Sequence, residues 1–182
     1  MPKGYYLNKT IKKWELIGIA VISIVGSFLH FLFELAGKWT PVGAIAAVNE
    51  SVWEHFKIGF WPAVFYMIFE YFYFKKSFRN FLFAKAIGIY SIPIVIAVIF
   101  YSYTSIIGHE ILPVDILTFI VAIAICQLIS YNISKIQTLP KWLNIFGLVL
   151  IIILAAAFIV FTYYPPHLPV FRDSVTGQYG IP

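Results

Sequence analysis

Six side chains offer this sequence its chemistry: His30, Glu34, Glu50, Glu54, His55 and His167. Imidazole nitrogens and carboxylate oxygens form the donor set of zinc and other first-row divalent ions, and a carboxylate left off the ion can serve as a general base. His30 and Glu34 stand at i and i+4, as do Glu50 and Glu54, so each pair shares one face of the helix that carries it. On that pattern His30, Glu50, His55 and His167 are the candidate metal ligands, and Glu34 and Glu54 the candidate bases. No H-E-x-x-H, H-x-x-x-H or paired E-x-x-H accompanies them. Plainer readings stand beside this one. Glu54 can cap its own helix, Glu34 can pair with Lys38 at i+4, and His55 and Lys57 can snorkel to an interface. His30 resists such a reading, because it is deep in an apolar run with only Glu34 near it among polar groups of like reach.

The elements that position these residues belong to a membrane. Of 182 residues, 61% are hydrophobic and 12% charged, whereas a soluble domain carries about 25% charged residues. A spanning helix needs about 20 apolar residues. The segments 15–37, 81–108, 112–134 and 142–164 meet that requirement, and a fifth, 51–74, is bracketed by Lys57 and by Lys75 and Lys76. The expected fold is therefore all-α, a single integral membrane domain over residues 1–182 with five transmembrane helices and a tail at 165–182. The first run is too long for the core of a cleaved signal peptide. Cys126 is the only cysteine, which excludes a disulfide framework within the chain.

Ten of the thirteen Lys and Arg residues fall on one side of such a bundle, among them Lys12, Lys13, Lys75, Lys76, Arg79 and Lys85. Basic loops stay in the cytoplasm, so the N-terminus is expected inside and the C-terminus outside. The basicity then reports topology and anionic lipid rather than nucleic acid. All four histidines fall on the outer half of this arrangement.

Between the first two spans, Thr40-Pro41 reads as a helix start, threonine at the N-cap and proline at the first helical position. Ser51-Val52-Trp53-Glu54 reads as a capping box. A short outer or re-entrant helix, a break near Asn49 and a new helix from Ser51 are expected. The prolines of Tyr163-Tyr164-Pro165-Pro166-His167-Leu168-Pro169 end the last helix in a stiff extended segment. The tail then carries Phe171, Tyr179 and Ile181, and is expected to fold back over the outer mouth and bring His167 to the polar layer.

The motif Asn49-Glu50-Ser51-Val52-Trp53-Glu54-His55, with the tail Pro165-Pro166-His167-Leu168-Pro169 and the later Phe171-Arg172-Asp173 and Thr176-Gly177, resembles a bacterial family of small integral membrane proteins of unknown function. The likeness runs along most of the chain and includes His30-x-x-x-Glu34. It implies a bacterial cytoplasmic membrane and supplies no activity, cofactor or substrate.

Three functions remain open on these residues. The first is a metal-dependent hydrolase or transferase acting on a lipid or lipid-linked substrate at the outer leaflet. The second is an ion- or proton-coupled transporter or metal permease, against which five spans offer no inverted repeat and the inner half no matching polar path. The third is a non-catalytic partner or sensor that uses small faces such as Gly18, Ser23, Gly26 and Ser27 for helix contacts. Membrane lipids are its surroundings in each case, and a homo-oligomer stays open.

Overall fold

The computed structural model describes residues 3–74, 80–136 and 138–182. The loop charges Lys75, Lys76 and Arg79, on which the expected orientation partly rests, lie outside the described residues. Five long helices form: α1 (Lys3–Leu35), α2 (Val52–Phe74), α3 (Phe81–Ile107), α4 (Leu112–Ser134) and α5 (Trp142–Tyr163). Among the described residues there is no strand, only an isolated bridge between Arg172 and Tyr179 in the tail. Four of the helices are long and apolar enough to cross a membrane, over Thr10–Leu35, Phe81–Ile107, Leu112–Ser134 and Trp142–Tyr163. α2 matches them in length but carries Glu54, Lys57 and Glu70, which lower its apolar character.

The helix surfaces explain why this composition folds. Ile24, Phe31, Ile106, Leu112 and Ile145 are exposed, while the core gathers Ile22, Phe60, Ile89, Ile123 and Phe158. Large apolar side chains on the outside of a bundle suit a lipid surround, where they cost nothing. Helix α3 packs along α4 and α5, and α1 along α2 and α4. Small residues set the approach: a Cβ at Gly26 would fall 2.8 Å from the Ile58 carbonyl oxygen, and Gly18 faces Gln127 and Tyr66. Two of the small residues that the sequence offered for partner contacts are thus used inside the chain.

At the α3–α5 crossing, a Cβ on Gly147 would meet the Phe83 Cα at 2.7 Å and the Leu82 carbonyl oxygen at 2.8 Å. Both are backbone atoms and neither can swing aside. Three residues earlier in α5, the Asn144 Oδ1 accepts the Leu82 amide at 3.0 Å and the Phe83 amide at 3.4 Å, satisfying donors at the start of α3. Gly147→Leu is therefore expected to push these helices apart and cost about 1–3 kcal/mol, as overpacking does. Thermal unfolding in detergent checks it, and an unchanged midpoint would contradict the close crossing.

The connection from α1 to α2 holds the site. Thr40–Ala44 forms a 3-10 helix whose N-cap is Trp39, without a side-chain cap, so the expected Thr40 N-cap shifts by one residue. Its carbonyls are taken up by the bundle: Thr40 O accepts the Tyr163 hydroxyl, Gly43 O the Lys57 ammonium and Ala44 O the Trp61 indole N–H. Residues 45–51 follow as irregular backbone, with Ala46, Ala47 and Val48 buried. Buried irregular backbone needs partners for its polar groups, and finds them. The Ala47 amide donates to Leu29 O of α1 at 3.3 Å, and the Val48 amide to Glu54 Oε2 at 3.1 Å.

Candidate functional site

The bonds around Ser51 differ from a full capping box. Ser51 Oγ accepts the Glu54 amide at 3.4 Å, but the Glu54 carboxylate turns to the Val48 amide, and the Ser51 amide donates to Asn49 Oδ1 at 2.9 Å. The loop is bent so that Glu50 leans back between α1 and the first turns of α2. There it meets both deep histidines. Glu50 Oε2 stands 3.4 Å from His30 Nε2 and 3.5 Å from His55 Nε2, and the two rings lie 5.2 Å apart. Ligand atoms around a tetrahedral zinc stand about 3.4 Å apart, so these three can hold one divalent ion.

His55 is the best prepared of the three. Its Nδ1 lies 2.8 Å from the Ser51 carbonyl oxygen. A carbonyl only accepts, so Nδ1 carries a proton, and Nε2 is left facing the Glu50 carboxylate. Two acceptors facing each other call for a cation between them, whether a proton or a metal ion, and a backbone carbonyl behind the ring is the usual support for a ligating histidine. His30 lacks that support, since its Nδ1 is buried without a hydrogen-bond partner. Hydrogen bonding from His30 holds the Glu50 carboxyl below its usual range; burial opposes this, and the charges on His30 and His55 add to the lowering.

The group opens onto a cavity of about 490 Å³ between α1, α2, α3 and α4. Phe31, Ile96, Phe100 and Phe119 form its apolar wall, and Glu110, Asp115 and Thr118 its polar one. Asp115 accepts the Tyr103 hydroxyl at 2.5 Å, and the Tyr103 hydroxyl oxygen accepts the Ile111 amide at 3.2 Å, which fixes the α3–α4 turn beside the cavity. Asp115 stands in the first turn of α4, where a carboxylate is favoured whatever its function.

Of the other sequence candidates, none joins the group. Glu34 points outward, with its side chain 67% exposed and 3.4 Å from Lys38, the i+4 pairing open to it in the sequence. Glu54 is buried elsewhere: its carboxylate takes the Lys57 ammonium, the Val48 amide and the Thr162 hydroxyl. Lys57 is fully buried rather than snorkelling, and also donates to Gly43 O at 2.7 Å and Thr162 Oγ1 at 2.8 Å. His167 is exposed and rests on Tyr179, with ring centroids 4.7 Å apart.

The tail does fold back, but through other residues. Phe171 is buried against Trp53 and Phe161, and Ile181 packs with Phe33 and Val48. Asn49 Nδ2 donates to Gly180 O at 2.8 Å and Ser174 Oγ to Glu50 O at 3.2 Å, so the tail grips the loop that carries Glu50. Asp173 organises this grip. Its oxygens accept the Val175 amide at 3.0 Å and the Thr176 hydroxyl at 2.5 Å. Burial pushes the Asp173 carboxyl up, and the bonds from Thr176, Val175 and the backbone of Glu50 outweigh it, leaving the carboxyl below the usual aspartate range.

Asp173→Ala is expected to release the tail from the 49–51 loop and weaken about tenfold the hold on any ion that His30, Glu50 and His55 take up, the lower end of losses seen when support behind a ligand is removed. Isothermal titration of wild type and variant with zinc checks it. Equal affinities would mean that the tail does not position Glu50.

The family described as "Family of unknown function (DUF6512)" matches residues 4–181 of the chain. No curated protein and no solved structure matches.

Proposed function

The chain belongs to the DUF6512 family, whose function is unknown, and from that premise we propose that it acts through a divalent ion held by His30, Glu50 and His55 at an amphipathic cavity inside a membrane bundle. The observation that carries this reading is the His55 ring, whose Nδ1–H is committed to a backbone carbonyl while its Nε2 faces a carboxylate that His30 also faces. The substrate class is a lipid or lipid-linked molecule, and the reaction hydrolysis or group transfer. An ion at this position would polarise a phosphoryl or carbonyl oxygen. Glu110 and Asp115 on the same cavity can take a proton from the attacking hydroxyl, in place of Glu34, which pairs with Lys38, and Glu54, which pairs with Lys57. Phe31, Ile96, Phe100 and Phe119 offer acyl chains an apolar wall.

The bundle in this proposal crosses the bilayer five times, as a single domain. Support for α2 as a crossing comes from its charges, which are all buried, while Phe65, Ile68, Phe69 and Phe72 remain on its outside. The Ala47 to Leu29 bond supports a connection that dips below the end of α1, since Leu29 lies six residues before Leu35, or about 9 Å of helix. The N-terminus is assigned to the cytoplasm, the site to the outer face and the membrane to the bacterial cytoplasmic one.

Metal analysis of the full chain, stripped with chelator and re-equilibrated with zinc, tests the first step. One zinc per chain, lost in His30→Ala, is the expected result. Absence of stoichiometric metal, with His30→Ala behaving as wild type, would remove the reading. The second step is release of a water-soluble headgroup or a fatty acid from mixed-lipid vesicles, zinc-dependent and abolished in Glu50→Gln.

Proton- or ion-coupled transport keeps one supporting observation, a buried charge cluster at the opposite end of α1 that the sequence did not reveal. Uptake into proteoliposomes distinguishes it, and no uptake of any divalent ion tested would count against it.

A further inference from the structure

Helix α1 begins at Lys3, so Glu15 sits twelve residues inside it rather than at its start. There it meets Glu70 of α2 and Lys85 of α3, both buried. The Lys85 ammonium lies 2.9 Å from each Glu15 oxygen and 2.5 Å from Glu70 Oε2. Around them, Gln127 of α4 donates to the Glu15 carbonyl at 3.3 Å, and Tyr66 donates to the Trp14 carbonyl at 2.6 Å. The titratable groups that face the cluster are Glu15 from α1, Tyr66 and Glu70 from α2, Lys85 from α3 and the buried Cys126 from α4.

Among the described residues the charges here do not balance. Two carboxylates share one ammonium, and neither the tyrosine nor the thiol brings a positive charge. Glu70 Oε2 is buried beside the Lys85 ammonium at 2.5 Å, the same ammonium that already serves both Glu15 oxygens. The Glu54–Lys57 pair on α2 is the contrast: one acid, one base, and a partner for each oxygen. A net negative charge held inside a helical bundle is costly, and the cost falls to that of a neutral cluster when one positive charge is taken up. A metal ion would have to displace Lys85 from between the carboxylates. A proton needs no such room.

We infer that Glu15 and Glu70 share one bound proton, which makes the Glu15–Glu70–Lys85 cluster a single-proton site. It is independent of the metal reading, because the fifteen residues from Glu15 to His30 separate the two groups by about 22 Å of helix. Both the residues and the ligand differ. The site takes its proton without a covalent step: an O–H bond forms on one carboxylate, and the neutral cluster returns to one excess negative charge when that bond breaks. Buried carboxyl groups of this kind are the carriers in proton-coupled membrane proteins.

Infrared spectroscopy of the full chain in lipid vesicles tests it, because a protonated carboxyl and an ionised carboxylate absorb separately. At neutral pH the wild type is expected to show one protonated carboxyl per chain. Glu15→Gln and Glu70→Gln each leave one acid on one base, so each is expected to abolish that signal while keeping the shape of the side chain. Lys85→Met leaves two acids with no base, and is expected to double it. A wild type with no protonated carboxyl at neutral pH, or a signal that survives in both Gln variants, would overturn the assignment.

Discussion

Replacing Lys57 with methionine is expected to destabilise the protein by about 3–5 kcal/mol, the range for removing one partner of a buried ion pair. The ammonium is fully buried and satisfied by three oxygens, from Glu54, Gly43 and Thr162. Methionine fills the space but leaves the Glu54 carboxylate without its counter-charge. The double variant Glu54→Gln/Lys57→Met removes both charges and keeps a donor and an acceptor at position 54, so it is expected to recover part of the loss. Unfolding by denaturing detergent, followed on all three proteins, measures the coupling. A double variant as unstable as the sum of its parts would show that the pair contributes through shape rather than charge. The network also fixes the site, since the carboxylate that holds Lys57 holds the Val48 amide two residues before Glu50.

That pair shows what a sequence of this kind conveals and what it reveals. The helices were legible to within a few residues at most ends, because hydropathy dominates in a chain that is 61% hydrophobic and the breaks fall at Gly, Pro and charged residues. The placement of charges was not. Glu15, Lys57 and Lys85 were counted as residues of helix ends, since an apolar window finds the stretch that can face lipid and not the full helix. Where α1 extends twelve residues before Glu15, the same glutamate becomes an interior group. Spacing was a partial guide to the site in the same way. It puts His30 and Glu34 on one side of α1, but positions four apart differ by about 40° around the helix. Near the end of a helix that offset is enough to turn Glu34 to Lys38 and the surface while His30 stays between helices.

The His30–Glu50–His55 convergence was legible for a different reason. Glu50 and His55 lie in one short motif, and only their meeting with His30 needed the fold. The placement of His167 depended on the course of the tail, which proline stiffness could not supply. Apolar anchors decided it: Phe171 against Trp53 and Ile181 against Phe33 set the path, and His167 falls outside it against Tyr179.

In the proposed ion site, the largest expected effect belongs to Glu50 and His55. Loss of a group that merely supports a ligand costs about 10- to 100-fold in metal affinity, so His55→Ala and Glu50→Gln are each expected to weaken zinc binding by about 100-fold or more. Glu50→Gln is the sharper of the two, because it keeps the size of the side chain and its bond to His30 while removing the charge that balances the ion. Glu34→Gln and His167→Ala, at positions the fold turns away, are expected to leave affinity within about twofold, a change too small to register beside loss of a ligand. Competition with a chromophoric chelator reads all four on folded protein, with the unfolding midpoint as a check on structure. The geometry makes a specific demand of this series: the losses must follow distance to the Glu50 carboxylate and not membership of the sequence motifs. A loss in His167→Ala equal to that in His55→Ala would mean that the tail closes on the site in solution, and that the ligand set has four members rather than three.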